Sequence, residues 1–272
     1  MSAGEKDYVL GTHDEEIERL GLQHDVWRPR ASAAWRAGGF TAGQTLLDVG
    51  CGPGWASLDL AGIVGRAGRV IAIDRSRRFL DALEGAARAR GIRGIETHEL
   101  DLDEGEIPVR GADGAWSRWV YAFVRRPRLV LERVAAALRP GGVMVMHEYV
   151  DYRAWRLSPR SEPFEGFVRE VMASWRDQGG EPDIALELPG WLGELGLEVT
   201  ALRPIAEVAT PADFLWQWPR EFVRVGVDRL VELGRMDAAG AERVKGELAR
   251  TAATPGAFMT TPTVLEIVAR RR

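Results

Sequence analysis

The stretch that most constrains this chain is residues 45–60, Thr-Leu-Leu-Asp-Val-Gly-Cys-Gly-Pro-Gly-Trp-Ala-Ser-Leu-Asp-Leu. Thr45–Val49 is an apolar run of strand length. Gly50, Gly52 and Gly54 follow at alternate positions, and from Trp55 the apolar residues recur at helical spacing, at Trp55, Leu58 and then Ala61 or Gly62. The pattern predicts a strand, a glycine turn and a helix. Glycines let the backbone turn sharply and let a ligand lie against bare main chain. A dinucleotide site has the spacing G-x-G-x-x-G, with the pyrophosphate on the helix N-terminus. Here Trp55 stands where the third glycine belongs, and Pro53 removes an N–H donor from the turn. No G-x-x-x-x-G-K-[ST] occurs, which excludes a P-loop. A chance glycine-rich loop is the plain alternative.

Leu47-Asp48-Val49-Gly50-Cys51-Gly52-Pro53-Gly54 resembles motif I of the class I S-adenosylmethionine (SAM)-dependent methyltransferases. SAM carries no phosphate and needs only close backbone approach, which suits this turn. The resemblance covers residues 45–150 best. It implies an α/β, Rossmann-like seven-stranded, mostly parallel sheet in the order 3-2-1-4-5-7-6, with SAM as cofactor and S-adenosylhomocysteine as product. It places Asp48, Gly50, Cys51 and Gly52 at the cofactor.

Val70–Asp74 is a second buried-strand run, and its final acid falls 24 residues after Gly50. A carboxylate at a strand's C-terminal end beside the glycine turn accepts ribose hydroxyl protons, so Asp74 is the leading side-chain candidate, with Arg75 beside it. Its alternative role, capping the helix predicted over Arg75–Arg90, is weaker because Ser76 can do that. A third strand is expected around Ile95–Leu100. In the family pattern the acid after it, Asp101 or alternatively Asp103, accepts the adenine amino group, and Leu102 touches the ring through its backbone. Gly114–Arg118 is the fourth strand. The family places Ser117 and Arg118 near the methionine end, where an arginine fork suits a carboxylate, either the cofactor's or Asp48. Pro127–Leu138 is a helix, stopped by Leu138-Arg139-Pro140-Gly141-Gly142.

The fifth strand, Val143–Tyr149, alternates Val143, Val145, His147 and Tyr149 on one face with Met144, Met146 and Glu148 on the other. Its C-terminal end lies where an open parallel sheet leaves its crevice. His147, Glu148 and Tyr152 are therefore the candidate catalytic residues, with a structural role for a lone strand-end histidine as the alternative. The four histidines show no metal-ligand spacing, so no metal is expected.

Ahead of the core, Thr12 and Glu15 have capping-box spacing. Ile17 and Leu20 follow on one helical face until Gly21. A second helix is expected over Asp25–Ala37, with Pro29 tolerated only near its first turn. The leader Tyr8–Gln23 resembles that of bacterial small-molecule methyltransferases related to the ubiquinone-biosynthesis type. By that resemblance it forms a lid over the cofactor, contacting it through Tyr8, Gln23 and Trp27; an ordinary helix pair packed on the sheet is the alternative. The expected division is residues 1–40 as lid, 41–150 as SAM-binding core, and 151–272 as helical cap inserts plus the last two strands. In that last part, helices are expected through Phe164–Trp175, Ile184–Leu195 and Ala239–Thr251. Strands are expected at Leu197–Val208 and Val264–Ala269. The aromatic stripes, among them Phe164, Trp175, Trp216, Trp218 and Phe222, serve either as the cap's own core or as pocket walls.

The net charge of −4 gives no field that favours nucleic acid or an anionic membrane. A hydrophobic content of 46% suffices for a full core. The single cysteine excludes an internal disulfide and suits a reducing cytoplasm. No signal peptide or membrane span is evident. The expectation is a cytoplasmic SAM-dependent methyltransferase, monomer or homodimer, that methylates an O, N or C nucleophile of a small organic molecule by in-line displacement. Methylation of protein or RNA, or SAM binding without methylation, are the competing expectations.

Overall fold

The computed structural model describes residues 14–272. Along the chain the strands are β1 (Thr45–Val49), β2 (Arg69–Asp74), β3 (Ile95–Glu99), β4 (Ala112–Arg118), β5 (Leu138–Asp151), β6 (Arg156–Ser158), β7 (Leu197–Ile205), β8 (Val208–Ala209), β9 (Phe258–Thr260) and β10 (Thr263–Arg271). The helices are α1 (Asp14–Ala37), α2 (Trp55–Val64), α3 (Arg77–Ala89), α4 (Pro127–Ala137), α5 (Glu162–Asp177), α6 (Leu188–Glu194), α7 (Gln217–Glu232) and α8 (Ala238–Ala253). Seven strands form one sheet in the order β3-β2-β1-β4-β5-β10-β7. Numbered by that sheet's own strands, this is the expected 3-2-1-4-5-7-6. β1 to β5 run parallel, and β10 is antiparallel to β5 and β7.

A central parallel strand is covered on both faces, so its sequence is a continuous apolar run rather than an alternation. β1 shows this: Leu46 and Leu47 are both fully buried, and they point to opposite faces. Leu47 joins Ile71, Met144 and Met146 under Val130, Leu131 and Val134 of α4. Leu46 joins Val70 and Val145 under Trp35 of α1 and Leu60 of α2. At the sheet edge β3 is half-exposed, which explains its weaker pattern. α3 begins at Arg77 with Ser76 as its N-cap, whose Oγ accepts the Phe79 N–H at 3.3 Å.

Three expectations are corrected. The two leader helices are one helix, α1, running through both Gly21 and Pro29. Gly21 does not break it but lets it approach Trp55, since a Cβ there would stand 3.3 Å from that ring. Pro29 costs about 3 kcal/mol in a helix interior. Burying Trp27, Ala31, Ala34 and Trp35 on the same helix outweighs it, at roughly 1.5–3 kcal/mol for each large apolar side chain. Second, the strand expected over Leu197–Val208 ends at Ile205. Its tail becomes β8, which joins β6 and β9 in a separate sheet of order β6-β9-β8. Third, the helix expected over Ile184–Leu195 is a 3-10 turn, Ile184–Leu186, followed by α6. Pro189 lacks an N–H and so fits only the opening turn of a new helix.

α5, α7, α8 and the small sheet enclose a second core, rich in Phe164, Phe167, Trp155, Trp175 and Trp218. This cap sits over the C-terminal ends of β4 and β5, because Trp119 and Tyr149 belong to the same cluster. No helix among the described residues is long and apolar enough to cross a membrane. Tyr8 and the capping-box residue Thr12 lie outside the described residues.

Candidate functional site

The turn after β1 runs in the left-handed region at three glycines: Gly50 at φ +65°, Gly52 at +55° and Gly54 at +81°. A Cβ on Gly50 would stand 2.6 Å from Cγ2 of Val120, and one on Gly54 would run into Leu83. Nothing stands within 4 Å of the corresponding point at Gly52. The turn is pinned to β2. Cys51 N–H donates to the Ile73 carbonyl at 2.9 Å, and Gly52 N–H donates to Asp74 Oδ2 at 2.9 Å. Asp74 Oδ1 accepts the Ser76 N–H, also at 2.9 Å.

Above the turn lies a cleft of about 1390 Å³ including its open mouth. Of the predicted cofactor residues, it brings together Gln23, Asp48, Gly50, Cys51, Gly52, Asp74, Arg75, Asp101, Leu102 and Arg118. Trp27 and Ser117 are buried but do not line it. Trp27 is packed edge-on against Trp119 and Trp218, each with ring centroids 5.1 Å away. The first half of α1 lines the cleft through Glu16, Arg19, Leu20 and Gln23. Asp14 pairs with Arg78 at 2.7 Å on one side, and Gln23 Oε1 accepts from Trp218 Nε1 at 3.1 Å on the other.

Burial dominates the electrostatics. It pushes the Asp48 acid up to about 6, against a 2.5 Å hydrogen bond from Ser57 Oγ and the pull of the Arg118 charge. Arg118 thus serves Asp48 at a distance and is not its ion-pair partner. Burial also raises Asp74, offset by the N–H groups of Ser76 and Gly52. It raises the Cys51 thiol well above its usual range, which leaves no nucleophile in the turn. Arg118 is lowered to about 10 by burial and stays cationic at neutral pH.

The three candidate catalytic residues do not line the cleft. His147 is fully buried, with Nε2 3.3 Å from Glu266 and its ring packed edge-on against Trp116 at 5.0 Å. Glu148 is fully buried on the opposite face, where Oε1 accepts the N–H groups of Val120 and Tyr121 at 2.7 and 3.1 Å. Burial holds its acid at about 8. Tyr152 packs edge-on against Tyr149 and is buried behind it. The physical reason is common to all three. The end of β5 is covered on every side, His147 by Trp27 of α1, Trp116 of β4 and Glu266 of β10, Glu148 by the backbone that follows β4, and Tyr152 by the cap, so an alternating side chain there meets protein on either face.

Aromatic residues fill the far end of the cleft. Trp119, Phe123, Tyr149, Trp175 and Phe222 make a wall, Trp175 and Phe222 in the pocket-wall role that was one of the two expected for the aromatic stripes, while Glu16 and Arg19, which sequence reasoning missed, enter from α1 as a buried pair 2.7 Å apart. Trp119 has φ +54°, an uncommon conformation for a non-glycine residue, and its ring is stacked between Tyr149 and Trp218. That φ is invisible in sequence. The aromatic content of 211–233 was a signal for Phe222, but not for which ring faces the cleft.

The cleft fits SAM by one test internal to the structure. Arg118 lines it, yet Nη1 is buried without a hydrogen-bond partner among the described residues. Leaving such a donor unmet costs at least about 1–3 kcal/mol, so the site is chemically complete only with an acceptor, such as a carboxylate, in the cleft. Among the described residues no cluster of three or more His, Cys, Asp or Glu side chains is arranged to hold a metal ion.

Residues 46–142 match the family model described as a methyltransferase domain. The chain is 29% identical over 231 residues to the nocamycin O-methyltransferase of Saccharothrix syringae, covering 78% of this chain and 81% of that one. It is 30% identical over 133 residues to the demethylmenaquinone methyltransferase of Lactococcus lactis, covering 46% of this chain and 49% of that one. The chain spans between 43% and 63% of the length of the first curated relatives it matches. The solved structure of the [4+2]-cyclase SpnF aligns with a TM-score of 0.55 at 19% identity, over 88% of this chain and 79% of that one, a likeness of fold alone.

Proposed function

The chain is built on a class I SAM-dependent methyltransferase domain, and from that premise we propose that it transfers a methyl group from SAM to a small, largely apolar organic acceptor held against the aromatic wall. The observation that carries the reading is the buried Arg118 Nη1, left without a partner in a cleft that also presents the glycine turn and Asp74.

When bound, SAM supplies an electrophilic methyl group on a sulfonium sulfur. The chain's own residues hold and align. Asp74, already fixed by two backbone N–H groups, would accept the ribose hydroxyl protons. Asp101 would take the adenine amino group, with Leu102 against the ring. Gly50, Cys51 and Gly52 offer bare backbone, and Arg118 would hold the carboxylate of the methionine end. Trp119, Phe123, Tyr149, Trp175 and Phe222 would exclude water and orient the acceptor. Orientation alone supplies roughly 7–11 kcal/mol of such a barrier, so a displacement of this kind needs alignment more than acid–base chemistry. The relatives named for methylating nocamycin and demethylmenaquinone support a small-molecule acceptor.

The test is incubation with methyl-labelled SAM and a fractionated extract of the source cells. Label in the organic-soluble small-molecule fraction is the expected result. Label in precipitated protein or RNA overturns the acceptor class. Absence of label in a protein that binds S-adenosylhomocysteine overturns methyl transfer in favour of cofactor binding alone.

A further inference from the structure

His24 on α1 was not among the candidates drawn from sequence, yet it is buried beside Arg118, which lines the cleft. Its Nδ1 lies 3.4 Å from Arg118 Nη2. Its Nε2 lies 3.0 Å from Asp59 Oδ2 on α2. Asp59 is itself gripped by Arg28, whose Nε and Nη2 donate to its two carboxylate oxygens at 2.7 Å each. Arginine only donates and a carboxylate only accepts. The two neighbours therefore force one tautomer: the proton sits on Nε2 and is donated to Asp59, and the Nδ1 lone pair faces Arg118. The other terminal nitrogen of that guanidinium, Nη1, is the unpartnered atom described above.

We propose that His24 is a positioning residue for cofactor binding, its Nδ1 lone pair fixing the Arg118 guanidinium so that Nη1 is presented to the carboxylate of the methionine end. Asp59 and Arg28 lock the imidazole from behind. The inference rests on the SAM reading of the cleft and adds to it a residue that touches no ligand. It carries a pH dependence. Protonation of Nδ1 removes the acceptor and sets a second cation against Arg118. The charged groups facing His24 are Asp59 from α2, Arg118 from β4 and Asp25 from α1 itself. Burial, the leading influence, holds the imidazole neutral below its ordinary range, with Arg118 acting in the same sense and Asp59 opposing. Carboxylate binding is then intact at neutral pH and weakens only on acidification below the ordinary imidazole range.

Two probes separate the claim from the reading beneath it. S-adenosylhomocysteine carries the carboxylate, and 5′-methylthioadenosine lacks the whole amino-acid end. Calorimetric affinities are measured for wild type, His24→Gln and His24→Asn, each checked for an intact fold by thermal melting. Asn keeps an acceptor oxygen near the Nδ1 position, while Gln reaches toward Asp59 and loses that acceptor. The expected result is about a tenfold loss of S-adenosylhomocysteine affinity in His24→Gln, the scale of one hydrogen bond to a charged group. Affinity for 5′-methylthioadenosine stays unchanged and His24→Asn is close to wild type. On acidification from pH 7.5 to below the ordinary imidazole range, wild type loses S-adenosylhomocysteine affinity and His24→Asn does not. Equal affinities in His24→Gln and wild type, equal losses for both probes, or the same pH response in His24→Asn would each overturn the positioning role. Failure of wild type to bind either probe would instead overturn the SAM reading of the cleft.

Discussion

Glu148→Gln separates catalysis from architecture at the end of β5. Burial holds the Glu148 acid at about 8 in the folded protein, against an ordinary 4.5, despite the backbone N–H groups of Val120 and Tyr121. Below pH 4.5 the folded and unfolded states both carry the proton. As pH rises past 4.5 the unfolded chain releases it, whereas the folded protein keeps it until about pH 8. Stability therefore falls across that window, at 1.36 kcal/mol for each pH unit. The raised acid spans about 3.5 units, so the total is about 5 kcal/mol, reached near pH 8 and constant above it. Glutamine has no proton to release and retains an oxygen for the Val120 and Tyr121 N–H groups. The stability advantage of Glu148→Gln over wild type should therefore grow by several kcal/mol between pH 5 and pH 8. Urea unfolding at half-unit steps measures it. At neutral pH the native carboxyl already bears a proton and cannot accept another, so turnover should change by no more than roughly threefold. A general base contributes 10²–10⁴-fold. A hundredfold loss of turnover in a folded Glu148→Gln, or a stability difference independent of pH, would refute the reasoning.

Asp74→Asn should weaken S-adenosylhomocysteine binding by about 10- to 100-fold, the loss of one or two hydrogen bonds to a charged acceptor; unchanged affinity by calorimetry would remove Asp74 from the cofactor site. Gly54→Ala places a side chain at φ +81° against Leu83, and the combined backbone strain and overpacking should cost about 2–5 kcal/mol by urea unfolding. A loss under about 1 kcal/mol would contradict the geometry of the turn. His147→Asn cuts a buried ring out of the packing with Trp116 and Glu266, so its thermal midpoint should fall while turnover in the folded protein holds. A large loss of turnover without loss of stability would return His147 to the chemistry.

The fold was legible where local pattern and burial coincide. The run Thr45–Val49 and the three glycines name a strand and a turn, because an apolar stretch buried on both faces admits few other solutions. Ser76 as the cap of α3 follows from chemistry alone. The single helix α1 was not legible. Gly21 and Pro29 are ordinary break signals, overridden by the burial of Trp27 and Trp35 against elements far along the chain. The small sheet was hidden for the same reason: β6 and β8 pair with β9 across 99 and 48 residues of intervening sequence, and none of the three exceeds three residues.

The site divides along the same line. The half proposed for the cofactor is built from residues at the ends of β1, β2, β3 and β4, where chain position and spatial position agree. The half proposed for the acceptor is not. Alternation set the faces of β5 in line with the observed clusters, with Met144 and Met146 on one and Val143 and Val145 on the other. A face predicts access only when the sheet end is open. Here α1 and β10 cover His147 and the backbone after β4 covers Glu148, while Tyr149, next along, reaches the cleft. His24 is the extreme case: its partners Asp59 and Arg118 lie 35 and 94 residues away, and nothing in its neighbourhood sets it apart from a surface histidine. Motif residues report the cofactor because every acceptor shares it. The groups proposed to choose the acceptor come from α1, α5, α7 and the ends of β4 and β5, which only the folded chain brings to one cleft.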